Sequence, residues 1–164
     1  MQHGDYNIEL IDDAGEVIGV KPRREIDRFK DIVHCVDVFV FQGGKMVIGR
    51  IPEANVWSGG TWAPPSATML REGEGAEEAA RRALKKELGL ERVELHLLGT
   101  ELFAYKDGVK RKKTSFWIET DASLEPSLDD IAELASVTRE EFEERLASNP
   151  TDYEPVFRPL WEVY

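Results

Sequence analysis

Glu87 is the side chain whose position calls for chemistry. It lies in the segment Gly73 to Leu90, GEGAEEAARRALKKELGL. Gly73 and Gly75 bracket a turn, and Ala76 to Leu88 holds good helix formers up to Gly89, a natural C-terminal stop. At about 100° per residue, Ala76, Ala80, Ala83, Leu84 and Leu88 share one apolar stripe, and Glu87 falls within ~20° of Ala80. An ionised carboxylate buried without a partner costs several kcal/mol or shifts its pKa. Two readings follow. One is a structural ion pair with Lys86, Arg82 or another basic side chain. The other is a metal ligand, since hard oxygen donors suit an Mg2+ that bridges to phosphates.

The elements that must position this helix read as a mixed order of strands and helices. Asn7 to Ile11 and Val17 to Val20 flank Asp12-Asp13-Ala14-Gly15 as a hairpin. Ile32 to Phe41 is a long β-branched and aromatic strand, Gln42 to Lys45 a turn, and Met46 to Ile51 the returning strand. A loop rich in Pro, Gly, Ser and Trp is predicted from Pro52 to Ala67. Val93 to Tyr105 reads as a strand, Lys106-Asp107-Gly108 as a tight turn, and Lys113 to Thr120 as its partner. Leu124 to Leu128 is predicted as loop and Ile131 to Val137 as strand. Thr138 to Ala147 reads as a helix with Thr138 as N-cap and Glu141 closing a capping box. The layering this order predicts is a sheet flanked by helices.

At 164 residues and 41% hydrophobic, the chain suits one domain with a sizeable core. A net charge of -11 argues against a nucleic-acid polymer or an anionic membrane as partner, while leaving room for a local basic pocket. The single cysteine, Cys35, excludes an intrachain disulfide framework and reads as a small buried core residue. With no apolar run of spanning length and no signal-peptide layout at the N-terminus, the expected location is cytoplasmic.

The spacing of Glu74, seven residues, Arg82, then Leu84, Glu87, Gly89 and Leu90 resembles the Nudix box. That pattern is Gly, five residues, Glu, seven residues, Arg-Glu-aliphatic-x-Glu-Glu-x-Gly-aliphatic. Here Thr68 stands for the leading Gly, Ala83 for the Glu after the Arg, and Lys86 for the first Glu of the pair. The box, over 68–90, is degenerate. Positions 83, 86 and 87 would share one helix face, and their charge passes from minus three to zero.

The opening 8–26, the strand with His34, and Gly60-Thr61-Trp62 followed by Ser66-Ala67 are similar to the Nudix branch that includes isopentenyl diphosphate isomerase of the first type. The resemblance covers nearly the whole chain as one domain, 1–164, with 1–31 as an N-terminal hairpin extension. It implies an α/β (α+β) fold, an α/β/α sandwich with a mixed sheet. The isomerase's Cys-Gly-His falls on Ala67, Thr68 and Met69, and its later Glu-x-Glu falls in 109–113, where this chain is basic. His34 matches one of its ligands and Asp27 stands at another. Isomerase chemistry is therefore not expected.

The resemblance implies a metal-dependent hydrolase of a nucleoside diphosphate linked to another moiety, its activity weakened by lost carboxylates. Glu87 and Glu74 would be the catalytic and metal-holding pair for Mg2+ or Mn2+, with Glu77, Asp130 or Glu133 as extra acids. The alternative is an inactive module that binds a phosphorylated small molecule or a protein and needs no metal. Candidate ligand-binding residues are Arg50, Trp62, Arg82, Lys86, Lys110 and Lys112. Lys86 could place an ammonium where a metal would sit. The run Lys110 to Lys113 reads either as a solvated strand edge or as the source of one or two phosphate-binding cations. Trp57 and Trp62 either stack on a ligand or pack beneath their loop. A homodimer is compatible with the resemblance.

Overall fold

Strand β3, Ile32–Gln42, is buried on both faces, and its alternation sorts the core into two halves. In the computed structural model, which describes residues 6–105 and 107–157, Val36, Val38 and Val40 point to one face. There they meet helix α1, Ala76–Leu88, through Ala79, Ala80, Leu84 and Leu88. Leu84 and Leu88 are fully buried, each contributing about 1.5–3 kcal/mol. Phe39 and Phe41 point to the opposite face, against Phe142 of helix α2, Arg139–Ser148, with Tyr153 and Phe157. The fold is mixed α+β, with a helix on each side of the sheet.

Among the described residues the sheet has nine strands. The N-terminal hairpin is β1, Asn7–Ile11, with β2, Val17–Pro22. It joins β3 through Leu10 and Ile11. Strand β4, Lys45–Arg50, pairs with β3, with β5, Trp62–Ala63, and with β9, Glu133–Val137. Strand β6, Ser66–Met69, pairs antiparallel with β3. Strand β8, Lys110–Glu119, runs parallel to β3 and antiparallel to β7, His96–Ala104.

Three expectations need correction. The Pro52 to Ala67 loop contains β5 and the start of β6, because the edges of β4 and β3 recruit these short segments. Residues 93–95 are not strand; Val93 and Leu95 instead pack against the α1 side of the core. The basic run is not a sheet edge. Strand β8 is interior, between β3 and β7, and Arg111 and Lys113 are buried while Lys110 and Lys112 are partly exposed.

The ends of both helices follow from local chemistry. Gly89 takes φ 68° and sends its N–H to Leu84 and Lys85, closing α1 in the left-handed conformation that glycine favours. Thr138 and Glu141 form the reciprocal capping box at the start of α2. No helix among the described residues is long and apolar enough to cross a membrane.

Candidate functional site

The last turn of α1 leaves backbone carbonyls without helical partners. Two of them, Glu87 O and Leu88 O, accept from Ser127 N at 2.8 Å and Glu125 N at 2.9 Å. The 125–131 segment then turns on Ser127 O, which accepts from Asp130 N and Ile131 N. This clasp delivers Asp130 beside Glu87, and both line a cleft of about 360 Å³.

Glu87 is 9% exposed and accepts one long hydrogen bond, 3.4 Å, from Ala67 N on β6. Burial, and then the negative charge of Asp130, push its carboxyl well above the usual range. The expected ion pair with Lys86 or Arg82 does not form. Lys86 Nζ lies 3.8 Å from Asp130 Oδ1, and Arg82 is committed elsewhere. Asp130 Oδ2 is buried without a hydrogen-bond partner. At this acidic end of the cleft, Glu87 thus has the Asp130 carboxylate and one poorly placed cation beside it, and the adjoining Asp129 also lines the cleft.

Glu74 is not at this end. Arg82 Nε and Nη2 clamp its two oxygens at 2.9 and 2.8 Å, and Arg71 N donates to it at 3.1 Å. Burial raises the Glu74 carboxyl, but the Arg82 and Arg71 contacts outweigh that and hold it below the usual range. Arg82 also donates to Met69 O at 3.0 Å, so the pair staples α1 to the end of β6. Expected as a metal-holding pair with Glu87, Glu74 is instead clamped by Arg82 and does not line the cleft.

The other end of the cleft is built on β8. In register with β3, Arg111 lies beside Val33 and Lys113 beside Cys35, so both project on the same face as Asp37. Lys113 Nζ is 3.4 Å from Asp37 Oδ2 and 3.7 Å from Glu154 Oε2, all three groups being buried. Burial lowers the Lys113 pKa, but Asp37, Tyr105 and Glu154 more than reverse this and keep it charged. Tyr105 donates to Glu154 at 3.1 Å, and burial pushes its phenol up to about 12. Trp57, Arg111 and Arg23 line the same end.

Of the other sequence candidates, Arg50 lines the cleft, paired with Glu53 at 3.6 Å and Glu133 at 3.3 Å. Glu133 is thereby occupied, as is Glu77, which pairs with Arg81 at 2.9 Å. Trp62 does not line the cleft; it packs on the α2 side of the core with Arg145 over its ring. Lys110 leaves the cleft to pair with Asp13 at 2.9 Å, and the Lys112 side chain lies against Gly15 of the β1–β2 turn. His34 bonds Thr114 Oγ1 at 2.7 Å, and burial, then Lys112, lower its pKa to about 4. Arg111 and Lys113 are the two members of the basic run that line the cleft, whereas Asp37 and Glu154 were not among the sequence candidates. The strand phase set by β3 is the signal that separates Arg111 and Lys113 from Lys110 and Lys112.

A family model described as the NUDIX domain matches residues 30–158. The chain belongs to the Nudix family. Among solved structures, DR0079 from Deinococcus radiodurans is similar at 21% identity and TM-score 0.73, over 87% of this chain and 89% of that one. A MutT protein from Methanosarcina mazei Go1 gives 18% identity and TM-score 0.59, over 71% and 81%. A MutT NUDIX hydrolase from Burkholderia pseudomallei gives 17% identity and TM-score 0.57, over 67% and 85%. At these identities the likeness is one of fold. No curated protein matches by sequence.

Nudix hydrolases generally use divalent metal ions, and the acidic end of the cleft can be tested for that role. The two adjoining carboxylates, one raised in pKa and one with an orphaned buried oxygen, fit a single hard cation, which would relieve both. Among the described residues no group of three or more His, Cys, Asp and Glu side chains could hold an ion.

Proposed function

We propose that this Nudix protein is a hydrolase of a nucleoside diphosphate linked to another moiety, working with a reduced metal site at Glu87 and Asp130. The observation that carries this reading is the pair itself: two carboxylates brought together in a cleft, with Glu87 lacking any ion pair among the described residues. Were the site only a scaffold, an apolar residue at either position would avoid the desolvation cost.

Glu87 and Asp130 would hold a divalent ion, which would supply charge neutralisation for the scissile diphosphate. Glu87 and Asp130 hold the cation side of the substrate, and Ala67 N–H fixes the Glu87 carboxylate in orientation. Arg50 lines the wall and can stabilise negative charge that develops on phosphate oxygens. Lys113, paired with Asp37 and Glu154, lines the same cleft. Lys86 weakens the arrangement by competing for Asp130, which makes slow turnover the expected behaviour. It also favours a second reading, a binding module in which that ammonium stands in place of the metal.

The test is turnover of a panel of dinucleotides, nucleotide sugars and deoxynucleoside triphosphates with Mg2+ or Mn2+, in wild type, Glu87→Gln and Asp130→Asn. Metal-dependent hydrolysis lost in both variants supports the hydrolase. Tight binding without cleavage of the phosphoanhydride, in every metal, selects the module.

A further inference from the structure

Arg111 is a buried cation with no close ion pair among the described residues, Asp37 and Glu154 acting on it only at longer range. It is 8% exposed, and its guanidinium lies 5.0 Å from the Trp57 ring centre and 4.6 Å from that of Tyr105. Nη2 makes two long contacts, 3.5 Å to Trp57 O and 3.3 Å to Ser58 Oγ, and Nε is buried with no partner. Among the described residues no carboxylate lies within 4.0 Å of it. Lys113, two residues further on, faces Asp37 and Glu154. The aromatic faces offset part of the cost of burying the Arg111 charge, but an open donor edge remains in the cleft.

The sheet register separates this edge from the acidic end. Ala67 of β6, Asp37 of β3 and Ser115 of β8 stand side by side. Arg111 lies four residues before Ser115 on β8. At about 3.3 Å per residue and about 4.8 Å per strand, its Cα is roughly 13 Å along and roughly 10 Å across from that of Ala67, whose N–H meets Glu87. One cleft thus carries a carboxylate pair at one end and an unpaired guanidinium at the other.

Building on the hydrolase reading, we propose that Arg111 anchors a second anionic group of the substrate, a carboxylate or phosphate on the part of the molecule remote from the scissile phosphoanhydride. A guanidinium pre-set between two rings offers a fixed fork to such an oxyanion, with little side-chain entropy left to lose. A ligand that bears only the diphosphate leaves this donor bare, and the penalty falls on its affinity. The device discriminates among compounds that share the same cleavable bond.

The experiment measures binding by calorimetry in chelator, so that no hydrolysis intervenes, using matched pairs that differ by one anion. UDP-glucuronate against UDP-glucose tests a carboxylate; NADPH against NADH tests a phosphate. The expected result is about tenfold tighter binding of the anionic member of at least one pair. Arg111→Gln is expected to bring that ratio close to one, and Arg111→Lys to leave a reduced preference. A preference confined to one pair supports the proposal and names the anion. Equal affinities in both wild-type pairs, a preference that survives Arg111→Gln, or no binding of either anionic ligand at millimolar concentration overturns it. Should Arg111→Gln not fold, shown by circular dichroism, the wild-type ratios and Arg111→Lys decide. The outcome is separable from the hydrolase reading. Anion preference without turnover in metal leaves the anchor standing and removes the hydrolase, while turnover without anion preference does the reverse.

Discussion

Lys86 directs its ammonium to within 3.8 Å of Asp130 Oδ1, making a helix lysine the nearest cation to the acidic pair that faces the cleft. The two side chains are 41% and 14% exposed, so their attraction is partly screened. Lys86→Ala should free Asp130 and tighten Mn2+ binding by up to about fivefold, the equivalent of about 1 kcal/mol for a pair of this exposure. Calorimetric titration with Mn2+ checks this, and the double change Ala83→Glu with Lys86→Glu should tighten binding further. Unchanged affinity in both variants would mean that this helix face does not address a cation.

Removing the charge at Glu87 should stabilise the metal-free protein. Burial and the neighbouring Asp130 disfavour its ionised form, so Glu87→Gln is expected to raise the melting temperature without metal by about 2–4 °C for each ~1 kcal/mol relieved. Saturating Mn2+ should raise the melting temperature of wild type and leave that of Glu87→Gln unmoved. Thermal melts with and without Mn2+ read both effects, and a variant that loses stability in chelator contradicts the geometry.

Glu74 is expected to act on stability alone. Its clamp by Arg82 is mostly buried, and Glu74→Gln should cost about 2–3 kcal/mol, the lower side of what breaking a buried pair does. The sign with pH follows from the direction of the shift. The folded carboxyl sits below its ordinary value of 4.5, so its contribution is complete above that pH and is lost as pH falls through the folded pKa. Urea denaturation of both proteins should show a difference at pH 7 that shrinks below pH 4.5. Mn2+ affinity should not change, and a loss of it would return Glu74 to the role of ligand.

Lys113 holds two acids at once. Lys113→Met should destabilise by about 3–5 kcal/mol, because Asp37 and Glu154 are left buried without their counter-charge. Adding Asp37→Asn and Glu154→Gln should recover much of that loss, as the stranded charges disappear. Chemical denaturation of the single and triple variants tests this. An unaltered loss in the triple variant would assign the effect to packing of the lysine stem.

The helix that carries Glu87 was legible from sequence because a 3.6-residue period, a glycine stop and an acid inside an apolar stripe are all local signals. The same holds for Thr138 and Glu141, whose capping box needs only adjacent residues. What surrounds Glu87 was not legible. Asp130 arrives through backbone bonds from a loop about forty residues downstream to the end of α1, and no local pattern encodes that meeting. The clamping of Glu74 depends on which acid Arg82 chooses, a matter of tertiary geometry. Likewise, Lys110 to Lys113 reads as four equivalent cations until β3 fixes the phase of the strand. Trp57 and Trp62 share one loop composition, and only the pairing of Trp62 with β4 sends the two rings to different places.

The near-uniform charge of residues 110–113 has a consequence for tolerance to insertion and deletion. Shifting a strand by one residue exchanges its faces, and in most sequences that would expose the core. Here a one-residue insertion in the turn before β8 would bring Lys110 and Lys112 into the places of Arg111 and Lys113, so that two cations would still face Asp37 and Glu154, but Phe116 and Ile118 would leave the α1 side of the core. The charge at that end of the cleft would survive the slip, while the only guanidinium of the four would leave it. Insertion variants in 105–109 are therefore predicted to lose stability at Phe116 and Ile118 and to withdraw the guanidinium from the cleft together, so that recognition at this end is tied to the packing of the same strand.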